Sequence, residues 1–172
     1  MEQGRLFHVS ENPDIKTFIP RPSPSYFKEI TGNVVFAIND RLLHNYLLPR
    51  DCPRVCYYAR HDSTTADIEN YISPSGDFVM ALEYKWKPIV EQTIIYLYEL
   101  PAQTFTLLDE CAGYYISYEP ANPLSVKPVT NLLEEIAKRN VTIKFVETLK
   151  PLSEMIKNST LNYSIIRMRN GR

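Results

Sequence analysis

A histidine and a serine two residues apart carry the first chemistry in this chain. In Leu6-Phe7-His8-Val9-Ser10 the residue types read as a strand, and alternation puts Leu6, His8 and Ser10 on one face and Phe7 and Val9 on the other. An imidazole beside a hydroxyl offers a ligand a fixed set of donors and acceptors. The competing reading is a core histidine bonded to a backbone carbonyl, which spacing alone favours. Glu99, Asp109 and Glu83 are carboxylates at the ends of strand-like segments, where each could orient or polarise a substrate or simply be solvated. Arg167 and Arg169 alternate with Met168 near the C-terminal end. If the strand "NYSIIRMR" runs through them, they share one face. Their guanidinium forks match phosphate or carboxylate, and a solvated edge strand is the competing reading.

The sulfur chemistry is weaker. Cys52, Cys56 and His61 have the spacing C-x3-C-x4-H, but a structural zinc site needs four ligands, and Pro53 and the strand-like "RVCYYA" argue against a tight metal knuckle. No metal is expected. Cys111, in "DECAG", has no base nearby in sequence to hold it as a thiolate. Three cysteines cannot all pair. With an N-terminal stretch that lacks a leader's basic and apolar regions, they are expected to be reduced thiols in a cytoplasmic protein.

The elements that must position these groups are short. "RLFHV", "NVVFAI", "RVCYYA", "DFVMALEY", "TIIYLYEL", "TFTLL", "YYISY", "VTIKFVE" and "NYSIIRMR" read as strands from their β-branched and aromatic content. "NDRLLHNYLL" reads as a short helix that contains His44, is capped by Asn39 or Asp40 and is stopped by Pro49. "STTADIENYI" reads as a helix capped by Ser63 or Thr64. "VTNLLEEIAKRN" reads as one capped by Thr130, and "LSEMIKNSTL" as a fourth. Strands outnumber helices and do not alternate with them regularly. The expected fold class is α+β: one compact domain over residues 1–172, with a mostly antiparallel or mixed sheet and short helices.

Several function classes fall away. A formal net charge of −1 argues against an extended nucleic-acid footprint. No apolar run reaches the ~18 residues of a membrane span, and neither a dinucleotide fingerprint nor a phosphate-binding P-loop is present.

The strings "LFHVSENPDIKTFIPRPSP", "NYLLPRDCPRV" and "STLNYSIIRMRN" resemble the hallmarks of a bacterial family of unknown function, which brings no activity with it. More distantly, the order of elements resembles the ADP-ribosyltransferase-like fold, especially the small rifampin ADP-ribosyltransferases. Phe7-His8-Val9-Ser10 stands where those enzymes open with aromatic-His-Gly-Thr. Ser25-Tyr26 stands for a Ser-x-Tyr-like element, "VVFAINDRLLHNYL" for a strand leading into a helix, and "IIYLYELP" for a later strand that ends in an acid. Val9-Ser10 departs from Gly-Thr, and Ala37-Ile38 replaces a threonine. The resemblance implies a split sheet with NAD as substrate. His8, Glu99 and Asp109 would then be catalytic, and Ser10, Tyr26, Arg167 and Arg169 would hold the nucleotide. It leaves three readings: a transferase acting on an unknown acceptor, a nucleotide-like ligand-binding module without catalysis, and a tyrosine-rich protein-interaction module.

Overall fold

The computed structural model describes residues 4–72, 74 and 76–172; residues 1–3 of the N-terminal stretch read above lie outside it. The fold is α+β, as expected, with strands in antiparallel and mixed sheets joined by short helices. Contacts gather into two compact units. The first is built from residues up to Leu43 and Ile95–Val129, the second from His44–Ile94 and Thr130–Arg172. Each unit uses two separated stretches of chain, so no composition shift or linker marks them in the sequence.

The first unit holds a six-stranded antiparallel sheet. Its strands are β1 (Leu6–Ser10), β2 (Val35–Asn39), β5 (Ile95–Leu100), β6 (Thr106–Asp109), β7 (Tyr114–Ser117) and β8 (Ser125–Val129), in the order β6-β7-β2-β1-β5-β8. Strand β1 lies between β2 and β5. Strand β8 went unread because Pro128 interrupts its pattern. It sits at the sheet edge, where a residue without an N–H is tolerated.

Along β1 the two ladders differ. All five residues pair with β5, from Leu6↔Leu100 to Ser10↔Tyr96, but only Leu6↔Asn39 and Phe7↔Ile38 pair with β2. The sheet therefore parts between β1 and β2 from His8 onward. Leu6, Val35, Ala37, Tyr98 and Leu100 form a core on one face, covered by Phe18, Phe105 and Ala121. The chain leaves β1 in a polar turn, in which Ser10 Oγ accepts from the Asn12 N–H (3.1 Å) and Asn12 Oδ1 from the Asp14 N–H (2.9 Å). Tyr98 Oη then donates to the Asn12 carbonyl (2.6 Å) and accepts from the Ile15 N–H (3.2 Å). The segment is finally bridged to Ala121 through both backbone bonds of Phe18. The early stop of the first strand is thus a turn clamped down onto its own sheet.

The second unit holds β3 (Arg54–Tyr58), β4 (Phe78–Glu83), β9 (Val141–Val146) and β10 (Asn162–Ile166), in the order β10-β3-β4-β9; only the β4–β9 pair is parallel. Its helices are α1 (Thr65–Tyr71), α2 (Lys87–Gln92), α3 (Leu132–Ala137) and α4 (Lys150–Lys157). Thr64 caps α1 by accepting from the Asp67 N–H, as its type predicts. The cap expected at Thr130 is instead Asn131, in a left-handed conformation (φ 53°, ψ 49°) that asparagine tolerates. The segment 40–46 is a 3-10 helix. Asn39, one of its two candidate caps, holds it by accepting from the Leu42 N–H at 3.0 Å.

Two buried charges organise this second unit. Arg54, 2 % exposed, donates to the carbonyls of Asn45 (3.0 Å), Cys52 (2.7 Å) and Pro49 (3.5 Å), which fixes the loop before β3. Glu83, fully buried at the end of β4, accepts from the backbone N–H of Arg172 (2.6 Å) and of Leu149 (3.3 Å), and Lys85 Nζ lies 2.9 Å from its other oxygen. Burial is the strongest single influence on Glu83 and would raise its pKa. The Arg172 N–H, the Lys85 ammonium and the Leu149 N–H together outweigh it and hold the carboxyl below its ordinary value. A lowered carboxylate stabilises the fold above the unfolded pKa of about 4.3 and loses that contribution as pH falls through the lowered native value. Glu83→Ala strands two backbone donors and one ammonium. We expect it to cost about 3 kcal/mol at pH 7 by denaturant unfolding, with the gap to the parent narrowing in acid. A loss under about 0.5 kcal/mol, the range of ordinary surface substitutions, would contradict this role.

Candidate functional site

His8 is half-buried, and its Nδ1 lies 2.9 Å from the Phe36 carbonyl of β2. A carbonyl only accepts, so Nδ1 carries the proton, and in the neutral ring Nε2 is then an acceptor. The bond spans β1 and β2 beyond their last registered pair, so the ring takes up a carbonyl near the point where the ladder stops. The imidazole also meets the Phe18 ring, with centroids 4.6 Å apart, and Phe18 in turn meets Tyr98 edge-on at 5.2 Å. Tautomer and ring plane are thereby fixed.

The other expected site residues do not gather around it. His8↔Tyr98 and Phe7↔Glu99 are adjacent register pairs, and side chains alternate along strands, so Glu99 projects from the sheet face opposite His8 and Ser10. There its two oxygens accept from Arg5 Nε and Nη2, both at 2.8 Å, and the Arg5 guanidinium lies over the Phe7 ring. Arg5 is the main reason that the Glu99 carboxyl sits below its usual range. The pairing of His8 with Glu99 in one cleft is therefore corrected: register separates them. Asp109 lies on edge strand β6, three strands from β1, or about 14 Å at the usual strand spacing. Its Oδ1 accepts from the Ala112 N–H (3.0 Å) in the turn to β7, which Gly113 completes at φ 72°. Ser10 Oγ is used by its own turn.

Tyr26 is 91 % exposed, so the ring expected to stack on a ligand stands in solvent. Its neighbour Phe27 anchors that loop instead, meeting Phe36 and Tyr114 at 6.2 and 6.3 Å. Arg167 and Arg169 belong to the second unit and do not lie on a continuous strand face. Strand β10 ends at Ile166, Arg167 is left-handed (φ 55°, ψ 30°), and Arg169 sits in the 3-10 turn Met168–Asn170. Residues missed in the sequence are Tyr98, which ties the turn after β1 to the sheet, and Arg5, which neutralises Glu99. Both act across more than 80 residues of chain, beyond the reach of any local pattern.

Among the described residues no group of three or more His, Cys, Asp or Glu side chains is placed to hold a metal ion. Among the described residues Cys52, Cys56 and Cys111 form no disulfide. Cys52 and Cys56 are buried and Cys111 is exposed. Burial pushes both Cys52 and Cys56 up to about 12, against the opposing charge of Arg54.

The fold and the site together define an α+β protein whose larger sheet parts at an oriented histidine. Over residues 7–171 the chain matches the model described as Family of unknown function (DUF6886), and it belongs to that family. No curated protein and no solved structure matches it.

The thiol environments predict that a disulfide reagent at pH 8 titrates one thiol of the native protein rapidly and all three in denaturant, since the thiolate is the nucleophile. Rapid titration of two or three native thiols would contradict the buried placement of Cys52 and Cys56.

Proposed function

We propose that the first unit is a binding module for an NAD-like nucleotide, with His8 as its polar anchor. The observation that carries this reading is the parting of β1 from β2 at a histidine whose Nδ1–H is already committed to the Phe36 carbonyl. A core histidine bonded to a backbone carbonyl has its tautomer fixed in the same way, and that tautomer suits ligation because Nε2 is then the ring's acceptor. A ribose hydroxyl is the kind of donor such an acceptor would meet. In the ADP-ribosyltransferase likeness a His and a Ser on the first strand hold the nucleotide, which makes NAD the first ligand to test. Binding without turnover fits better than transfer, because Glu99 is turned away and paired with Arg5 and Asp109 is held in a turn.

The test separates packing from ligation within one side chain. An asparagine amide can supply the Nδ1-like donor and has no counterpart of Nε2. His8→Asn should therefore keep its denaturation midpoint close to the parent's. It should also weaken NAD or ADP-ribose affinity about tenfold or more, read by calorimetry. Unchanged affinity in the variant, or no nucleotide binding to the parent, would end the reading and favour a protein-interaction module.

A further inference from the structure

Among the described residues the sheets end at β6 and β8 in the first unit and at β9 and β10 in the second. An edge strand turns alternate N–H and C=O groups outward, where another strand can pair with them. Proteins block such edges with charge, proline or a bulge. Three of these edges carry a block. Strand β8 has Lys127 and Pro128. Strand β6 is four residues long, and a bulge between Leu107 and Asp109 breaks its register. Strand β9 carries Lys144, and the Lys87 ammonium lies 5.6 Å from the centre of the Phe145 ring on the same strand.

Strand β10 has no such block. Asn162-Tyr163-Ser164-Ile165-Ile166 contains neither a charge nor a proline. All five residues pair with β3 without a shift of register, from Asn162↔Tyr58 to Ile166↔Arg54. The other side of β10 pairs with no strand among the described residues. Ile165 packs against the core of Val55, Tyr57 and Leu161, whereas Tyr163, two residues away on the same face, is 41 % exposed. The cation that follows is tied to the loop before β3: Arg167 is left-handed, and its Nε donates to the Arg50 carbonyl (3.2 Å).

The strand that fits this edge is β10 itself. Antiparallel pairing of two copies about Ser164 sets Tyr163 of each copy opposite Ile165 of the other, Asn162 opposite Ile166, and Ser164 opposite its own equivalent. Aromatic rings opposite β-branched side chains are favourable cross-strand pairs, and symmetry supplies this one twice. No like charges meet. The pairing repeats the antiparallel pattern that β10 already has with β3. It also closes, because the joined sheet ends on both sides at β9 with its lysine, so growth stops at two copies.

We propose that β10 is the interface of a two-fold homodimer of this chain, in which the two β10 edges pair antiparallel about Ser164 into one continuous sheet. Every group involved lies in the second unit, so the proposal stands apart from the reading of His8.

Sedimentation equilibrium of the full chain tests it, with thermal melting to show that each variant is folded. The parent should sediment at twice the 20.0 kDa of one chain. Ser164→Lys puts two ammonium groups face to face on the axis, and Tyr163→Lys removes the aromatic ring from both cross-strand pairs. Each should raise the dissociation constant of the dimer at least about tenfold. Leu107→Lys, on the exposed edge of the other unit, should leave it unchanged. Should Ser164→Lys fail to fold, Tyr163→Lys carries the test, since Tyr163 is the most exposed residue of the strand. A parent that stays monomeric at about 100 µM, where an interface of micromolar affinity is saturated, overturns the proposal and leaves the edge to a strand of a different protein. A dimer that both β10 variants leave intact, or that Leu107→Lys breaks, overturns it as well.

Discussion

The first unit depends on where β1 stops pairing with β2. Two register pairs hold them, and then the ladder ends, while β1 continues against β5 to Ser10. Backbone groups that leave a ladder inside a protein need other partners. The Phe36 carbonyl takes the His8 ring, and the Asn12 carbonyl takes the Tyr98 hydroxyl. These two side chains face each other across β1 and β5, so one register pair supplies both substitutes. Phe18 then packs between them and closes the apolar face. The histidine is thus a structural group and an oriented one at once. The same bond that satisfies a carbonyl selects the tautomer that leaves an acceptor on Nε2.

The second unit meets the opposite problem, that of charges taken out of water. Isolated burial of either ion would cost several kcal/mol. Arg54 is compensated by three carbonyls of the loop that precedes it, and Glu83 by two backbone donors and Lys85. Arg54 thereby fixes the loop just before it, and Glu83 ties the distant backbone at Leu149 and Arg172 to the end of β4. The loop 45–53 is set by Arg54, and this places Arg50 and Asp51 beside the turn after β10.

What could be read from the sequence was local. The strands β1, β2 and β5 were marked by β-branched and aromatic residues between turn formers. Asn39 and Thr64 were legible as caps because a cap acts within three residues. Pro128 hid β8 because the sequence does not say which strand lies at an edge. Arg167 and Arg169 were assigned to one strand face because a left-handed arginine has no compositional signal. The place of His8 on a strand was legible, and its neighbours were not. Whether Glu99 joins His8 is decided by the pairing of β1 with β5, and a one-residue change of register would reverse the answer. Tyr26 and Phe27 are equally aromatic, and only packing shows that Phe27 is the anchor.

The central claim is that His8 is a neutral imidazole protonated at Nδ1 and offering Nε2 to a nucleotide. Nitrogen-15 NMR of the ring reads this directly. At pH 7.5 the account predicts a protonated Nδ1 and an unprotonated Nε2, with the Nε2 resonance shifting on addition of NAD as it accepts a hydrogen bond. A ring protonated at Nε2 alone, or an Nε2 resonance indifferent to saturating NAD, would contradict it.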